Sequence, residues 1–236
     1  MQRRSSSFVR SLLATGLTWL TLAATPGAQA ALLPVNTSVA LPTGTTSAAE
    51  PQLAGTIIDT LINNFSFAAS SGTVSGTIES RVIRAVDGTL DFYWQVSSSA
   101  NSSDDLGSLR LGNLVTSQYL VDWRSDSTGD VAPVSARRFG GVQSSYFNFN
   151  FATRNDAGDL VGLAAGQTSY FMFLDTDATS YDLSGIMDVA DIPQQHISGI
   201  FSTFAPTAET VTVPEPGSLA LAGLALGLLA VRRRQA

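Results

Sequence analysis

Residues 77–97 read TIESRVIRAVDGTLDFYWQVS, two alternating apolar and polar runs on either side of Asp87-Gly88. Asp-Gly between alternating runs is a strong local signal for an antiparallel hairpin. If Asp87 and Gly88 are a two-residue turn, Val86 faces Thr89. The ladder then sets Ala85 against Leu90, Ile83 against Phe92, Arg81 against Trp94 and Glu79 against Val96. On the other face Arg84 meets Asp91, Val82 meets Tyr93 and Ser80 meets Gln95. Aromatic–aliphatic pairs and one opposite-charge pair fall into this register together. The Ile83, Leu90 and Phe92 face is expected to enter a core. Arg84–Asp91 is expected to be a solvated strand pair, since exposed ion pairs stabilise little.

Shorter alternating runs recur at 118–124, 144–151, 168–175 and 198–204, separated by Gly-, Asn- and Asp-rich breaks. Many short strands with such punctuation predict an all-β fold, an antiparallel β-sandwich. Residues 53–67 carry apolar side chains at helix-like spacing but are rich in Thr and Ile, and read as a strand. No fixed-period repeat is present. The stretch 31–52, dominated by Pro, Thr, Ser, Ala and Gly, reads as a flexible lead-in. The β-sandwich domain is thus expected over residues 53–210.

The two ends have a different character. Arg3, Arg4 and Arg10 precede or flank an apolar run at 12–24, and Ala28-Gln29-Ala30 follows. A basic start, a short apolar run and an A-x-A site predict a secretory signal peptide over 1–30, cut after Ala30. Residues 211–236 hold a second uncharged apolar run at 218–231, which as a helix would be about 21 Å long. That is short for a hydrocarbon core of about 30 Å. Pro214 and Pro216 keep the approach extended around Glu215. Arg232, Arg233 and Arg234 close the run and belong on the cytoplasmic side, which leaves the domain outside. The fold class expected overall is an antiparallel sandwich with a hydrophobic helix at each end.

Pro214-Glu215-Pro216, an apolar helix and a terminal arginine cluster, in that order, resemble the PEP-CTERM sorting signal of Gram-negative bacteria. The resemblance implies recognition by exosortase, a membrane protease-transpeptidase that cuts near the motif and passes its substrate toward the surface. It also implies a link to exopolysaccharide, which exosortase-bearing bacteria commonly make. GTVSGTIESRVIRAVDGTLDFYWQV, GQTSYFMFLDTDATSY and FSTFAPT likewise resemble the bodies of exported PEP-CTERM proteins, which carry no activity that could be transferred.

Charge and composition narrow the function further. Between residues 31 and 213 there are seven arginines, no lysine and eighteen carboxylates, a net charge of −11. Nucleic acid and anionic membrane surfaces both need a basic patch, so neither is an expected partner of the domain. With no cysteine there is no disulfide, thiolate zinc site or cysteine nucleophile. His196 is the one histidine, and no G-x-S-x-G accompanies it, so neither a serine triad nor an imidazole metal site is expected. Asp104, Asp105, Asp126, Asp130, Asp156 and Asp159 sit in turn-forming breaks, where turn chemistry accounts for them. Calcium is the cation the acids would suit, with Asp122, Asp126 and Asp130, or Asp175, Asp177 and Asp182, as candidate ligands. Tyr93, Trp94, Trp123, Tyr146, Phe147, Phe149, Phe151, Tyr170 and Phe171 are candidates for a sugar platform if a row of them is uncovered. The expectation is a non-catalytic surface or matrix protein; carbohydrate binding is the alternative and a secreted hydrolase the third reading.

Overall fold

The computed structural model of the chain describes residues 29–115, 118–140 and 145–207. Its strands in chain order are β1 (Ala31–Leu32), β2 (Ser38–Ala40), β3 (Thr56–Ala69), β4 (Gly72–Arg84), β5 (Leu90–Ser98), β6 (Leu106–Leu114) and β7 (Leu120–Trp123). There follow β8 (Ser135–Gly140), β9 (Ser145–Asn150), β10 (Thr153–Arg154), β11 (Leu160–Val161), β12 (Met172–Asp175), β13 (Tyr181–Asp191) and β14 (Phe201–Pro206). Among the described residues a single 3₁₀ turn, Pro51–Leu53, starts on a proline that has no N–H to lose there. Among the described residues there is no α-helix, and no helix is long and apolar enough to cross a membrane. Both expected terminal helices lie outside the described residues.

Two six-stranded antiparallel sheets face each other as a sandwich. The first runs β1-β7-β12-β5-β4-β3 and the second β14-β13-β6-β9-β8-β2, with β10–β11 as a separate ribbon. Alternate residues of each strand meet between the sheets, as the period of two requires. From the first sheet come Ile78, Val82, Leu90, Phe92, Trp94 and Val96. From the second come Leu109, Leu111, Phe147, Phe149, Met187, Val189 and Phe204. Full burial of each large side chain is worth roughly 1.5–3 kcal/mol. This core stands in for the absent disulfides. One polar chain crosses it: Trp94 Nε1 donates to Thr203 Oγ1 at 2.8 Å, and Thr203 Oγ1 donates to Ser80 Oγ at 3.1 Å.

The hairpin forms, but one residue out of the expected register. Ile83 stands opposite Asp91, Val82 opposite Phe92, Arg81 opposite Tyr93 and Ser80 opposite Trp94. The cause is the turn. Gly88 N–H donates to Ala85 C=O at 3.1 Å, Ala85 N–H donates to Thr89 C=O at 3.0 Å, and Gly88 has φ +94°. The loop is therefore Val86-Asp87-Gly88, a type I turn with a bulging glycine, and only one residue needs positive φ. Asp87 takes the bonds of an acid in such a turn, accepting from Thr89 N–H at 3.0 Å and from its hydroxyl at 2.6 Å. Each β4 residue moves to the next partner, and the expected Ile83–Phe92 and Arg84–Asp91 pairs do not exist. Leu90 and Phe92 do enter the main core. Ile83 lies on the outside of the first sheet, in a second cluster with Leu53, Tyr93, Phe171 and Phe173.

The segment 31–52, expected as a flexible lead-in, belongs to the fold instead. β1 pairs with β7 and β2 with β8. Leu33 and Leu41 are buried in the main core and Leu53 under the second cluster. Its low-complexity composition hid two core leucines, Leu33 and Leu41.

Candidate functional site

The aromatic residues sort themselves by strand parity. Trp94, Trp123, Phe147, Phe149 and Phe151 are buried in the main core, and Tyr170 packs half-buried against Trp123, its ring tilted, with ring centroids 4.8 Å apart. Tyr93 stacks on Phe173 at 5.1 Å, under the second cluster with Phe171. Of the platform candidates only Tyr146, 50% exposed, faces solvent. It projects from β9 on the outer face of the second sheet. A cleft of about 330 Å³ beside it is lined by Arg110, Gly112, Asn148, Ile186, Asp188 and Ile200. Arg110 Nε and Asp188 Oδ1 are 2.5 Å apart across the β6–β13 ladder. A Cβ on Gly112 would stand 2.8 Å from the Tyr146 ring, so glycine is what leaves room for the ring over β6. The result is one exposed ring beside planar polar groups, not a row of rings.

The acids do not assemble into either expected trio. Asp126 accepts from Arg124 Nε and Nη2 at 2.7 and 2.8 Å and from Ser47 N–H and Oγ. The Arg124 bonds, ahead of those from Ser47, hold its carboxyl well below the usual range. Asp130 accepts from Thr168 N–H, and Asp182 from Ser184 N–H. Among the described residues no group of three or more acids and histidines is placed to hold a metal ion.

Asp122 and Asp175, one from each expected trio, instead neighbour Asp91 and Glu50 on the outside of the first sheet, a grouping the sequence reading did not make. The β5–β12 register, with Leu174 against Phe92, carries Asp175 to the position opposite Asp91. Asp91 is 1% exposed, and neither of its oxygens meets an ordinary donor. Burial first, then the charge of Asp175, raises its pKa to about 8. Burial also raises that of Asp175. Two carboxylates this close satisfy each other when one holds a proton. Asp91 offers no surface to a substrate, so this pair does not flank a groove as a glycosidase pair must. Asp122 is pushed to about 6 by burial and by Glu50, against the pull of the Trp123 N–H. A charged residue between Leu90 and Phe92 was the one sign of this in the sequence; its neighbours on β12 and β7 come from topology.

His196 is more constrained than its flanking glutamines suggested. Its Nδ1 is 2.6 Å from Oδ2 of Asp191, which is fully buried. Asp191 Oδ1 also accepts the N–H groups of Gln195 and His196, each at 2.9 Å. The carboxylate therefore caps a turn and orients the ring.

Of the processing residues, Ala28, Pro214, Glu215, Pro216, Arg232, Arg233 and Arg234 lie outside the described residues. Ala30 is described. Its N–H donates to Glu50 Oε1 at 2.7 Å, and the next two residues form β1. A cut after Ala30 would fall at the first residue of the first strand.

A protein-family model described as the PEP-CTERM protein-sorting motif matches residues 212–234. The chain therefore carries this sorting motif, which implies export and sorting to the cell surface. No curated protein and no solved structure matches the chain.

Proposed function

We propose that the protein is an exosortase substrate of a Gram-negative bacterium, and that its β-sandwich serves as a structural or matrix-associated component at the cell surface. The observation that carries this is the family match over 212–234, which spans the Pro-Glu-Pro, the apolar run and the arginines. The tail holds the chain in the membrane until exosortase cuts beside Pro214–Pro216. The acidic, cysteine-free domain suits an exterior where solubility and a self-sufficient core matter. No catalytic role is assigned to it.

The test is intact mass of the protein from surface and medium, with and without the exosortase of the same cell. A chain ending near Pro214–Pro216, bare or with an attached group, and retention of the tail when exosortase is absent, support the reading. A tail intact through Arg234 in both strains would overturn it.

The cleft beside Tyr146 favours one second reading, binding of exopolysaccharide. A flat ring next to Arg110, Asp188 and Asn148 offers a sugar a stacking face and hydrogen-bonding groups together. Tyr146→Ala should weaken retention on an exopolysaccharide column at least tenfold with no change in melting temperature. Equal retention would leave the structural reading alone.

A further inference from the structure

The start of the folded domain presents two buried carboxylates, Glu50 and Asp122, that make no ion pair among the described residues. Glu50 is 4% exposed; its Oε1 accepts the Ala30 N–H at 2.7 Å, and its Oε2, also buried, meets no donor. An amide N–H satisfies one oxygen but does not neutralise a buried carboxylate. Asp122 is 4% exposed. The ladder sets Ala31 against Val121 and Leu32 against Leu120, so one step back Ala30 stands opposite Asp122. Further along the same face lie Asp175 and Asp91, both of which sense neighbouring acids. Arg124, whose charge reaches Asp91 in this patch, is committed to Asp126 by two bonds and also donates to the buried Tyr93 hydroxyl at 3.4 Å.

We propose that removal of the signal peptide supplies the missing charge: hydrolysis after Ala30 creates the α-ammonium of Ala31 against Glu50 and Asp122, where it becomes a structural ion pair of the mature sandwich. This rests on reading residues 1–30 as a cleaved signal. In the cleavage, water adds across the Ala30–Ala31 peptide bond. Ala30 leaves as a carboxylate, and the Ala31 nitrogen takes up the proton that makes it an ammonium.

The geometry favours capture without rearrangement. The Ala31 nitrogen is one residue, about 3.5 Å of chain, beyond a nitrogen already bonded to Glu50. Departure of Ala30 strips Glu50 of its one donor and opens the space in front of both oxygens. An ammonium brings three donors where the amide had one. Leu33 N–H donates to Tyr119 C=O at 2.9 Å, and Ala31, two residues earlier, has the same orientation toward Val121. One donor of Ala31 can keep that ladder while the others meet the acids.

The absence of lysine makes the test clean, because the α-amine is then the protein's sole primary amine. The exported protein is purified, its N-terminus sequenced, and the pH dependence of acylation by an amine-reactive ester followed by intact mass. The expected N-terminus is Ala31. Its amine should titrate about one unit above the ordinary 7.7–8.0, and acylate about tenfold more slowly at pH 7 than in guanidinium-unfolded chain. Glu50→Gln should return the midpoint toward the ordinary range, and Glu50→Asp should keep part of the shift. Should Glu50→Gln not be recovered folded, Asp122→Asn carries the same readout. An N-terminus other than Ala31 overturns the proposal together with the cleavage reading. Ala31 titrating at the ordinary value, or equally in wild type and Glu50→Gln, overturns the ion pair while leaving the cleavage reading intact.

Discussion

Replacing Asp91 with Asn should stabilise the sandwich at neutral and alkaline pH and do nothing in acid. The Asp91 side chain is shut between strands with Asp175 as its neighbour, and its pKa is lifted from 3.8 to about 8 by burial and then by that neighbour. A folded pKa above the unfolded one means that the fold prefers the protonated acid. Stability from the protonated pair is fully present below about pH 4 and is lost as pH climbs through about 8. Between 3.8 and pH 7 lie just over three units, a ceiling of about 4 kcal/mol at 1.36 kcal/mol each. Relaxation around the pair and water entry should bring the measured loss nearer about 2 kcal/mol. Asn carries no charge at any pH and offers Asp175 an N–H donor. The assay is urea unfolding of both proteins at pH 4, 5, 7 and 8.5. The wild-type midpoint should fall from pH 5 to 8.5 more steeply than that of Asp91→Asn, with the two converging near pH 4 and m unchanged. Titrating groups away from the Asp91–Asp175 pair act alike in both proteins and cancel in the difference. Parallel pH profiles, or a variant less stable at pH 8.5, would refute the reasoning.

Asp126 should show the opposite sign. Its depressed pKa means that its pairing with Arg124 stabilises above the unfolded value and is lost as pH falls below about 4. Asp126→Asn should cost about 1 kcal/mol at pH 7 in urea titration, and progressively less as pH falls below about 4, the pair being partly exposed. Two glycines should separate space from backbone freedom. A Cβ at Gly76 would lie 2.0 Å from Ser97 C=O and 2.6 Å from the Phe65 ring, whereas at Gly88 nothing lies within 4 Å but φ is +94°. Gly76→Ala should lose about 3 kcal/mol and Gly88→Ala about 1 kcal/mol in denaturant unfolding. Equal losses would mean that close approach at Gly76 is not what excludes a side chain.

The fold class was legible because alternation is a local property, and β4, β5, β7, β9, β12 and β14 each overlap a run read as strand. Register was not, since it turned on whether Asp87 or only Gly88 takes positive φ, and both loops suit the same dipeptide. That single step sent Ile83 to the outer cluster and freed Asp91 from Arg84. The Asp91–Asp175 neighbourhood and the Glu50–Asp122 patch join residues more than 70 positions apart, brought together by the placement of β12 and β1. No spacing rule reaches that far. The core leucines of the first segment were missed for a different reason: residues 31–52 were judged by composition, and Leu33 and Leu41 act by where they land.

The order of the first sheet also sets when the protein can fold. β5 and β7 are joined through β12, and β6 waits for β13 on one side and β9 on the other. A chain delivered N-terminus first can zip up β3, β4 and β5 early, because those hairpins are local. β1 then has no partner until residues 120–123 arrive, and the two halves of its sheet stay unstitched until 172–175 are out. The closing stitch is thus near the end of the domain. For a polypeptide that must pass a narrow channel before taking shape, late closure keeps the thread slack until the crossing is almost complete.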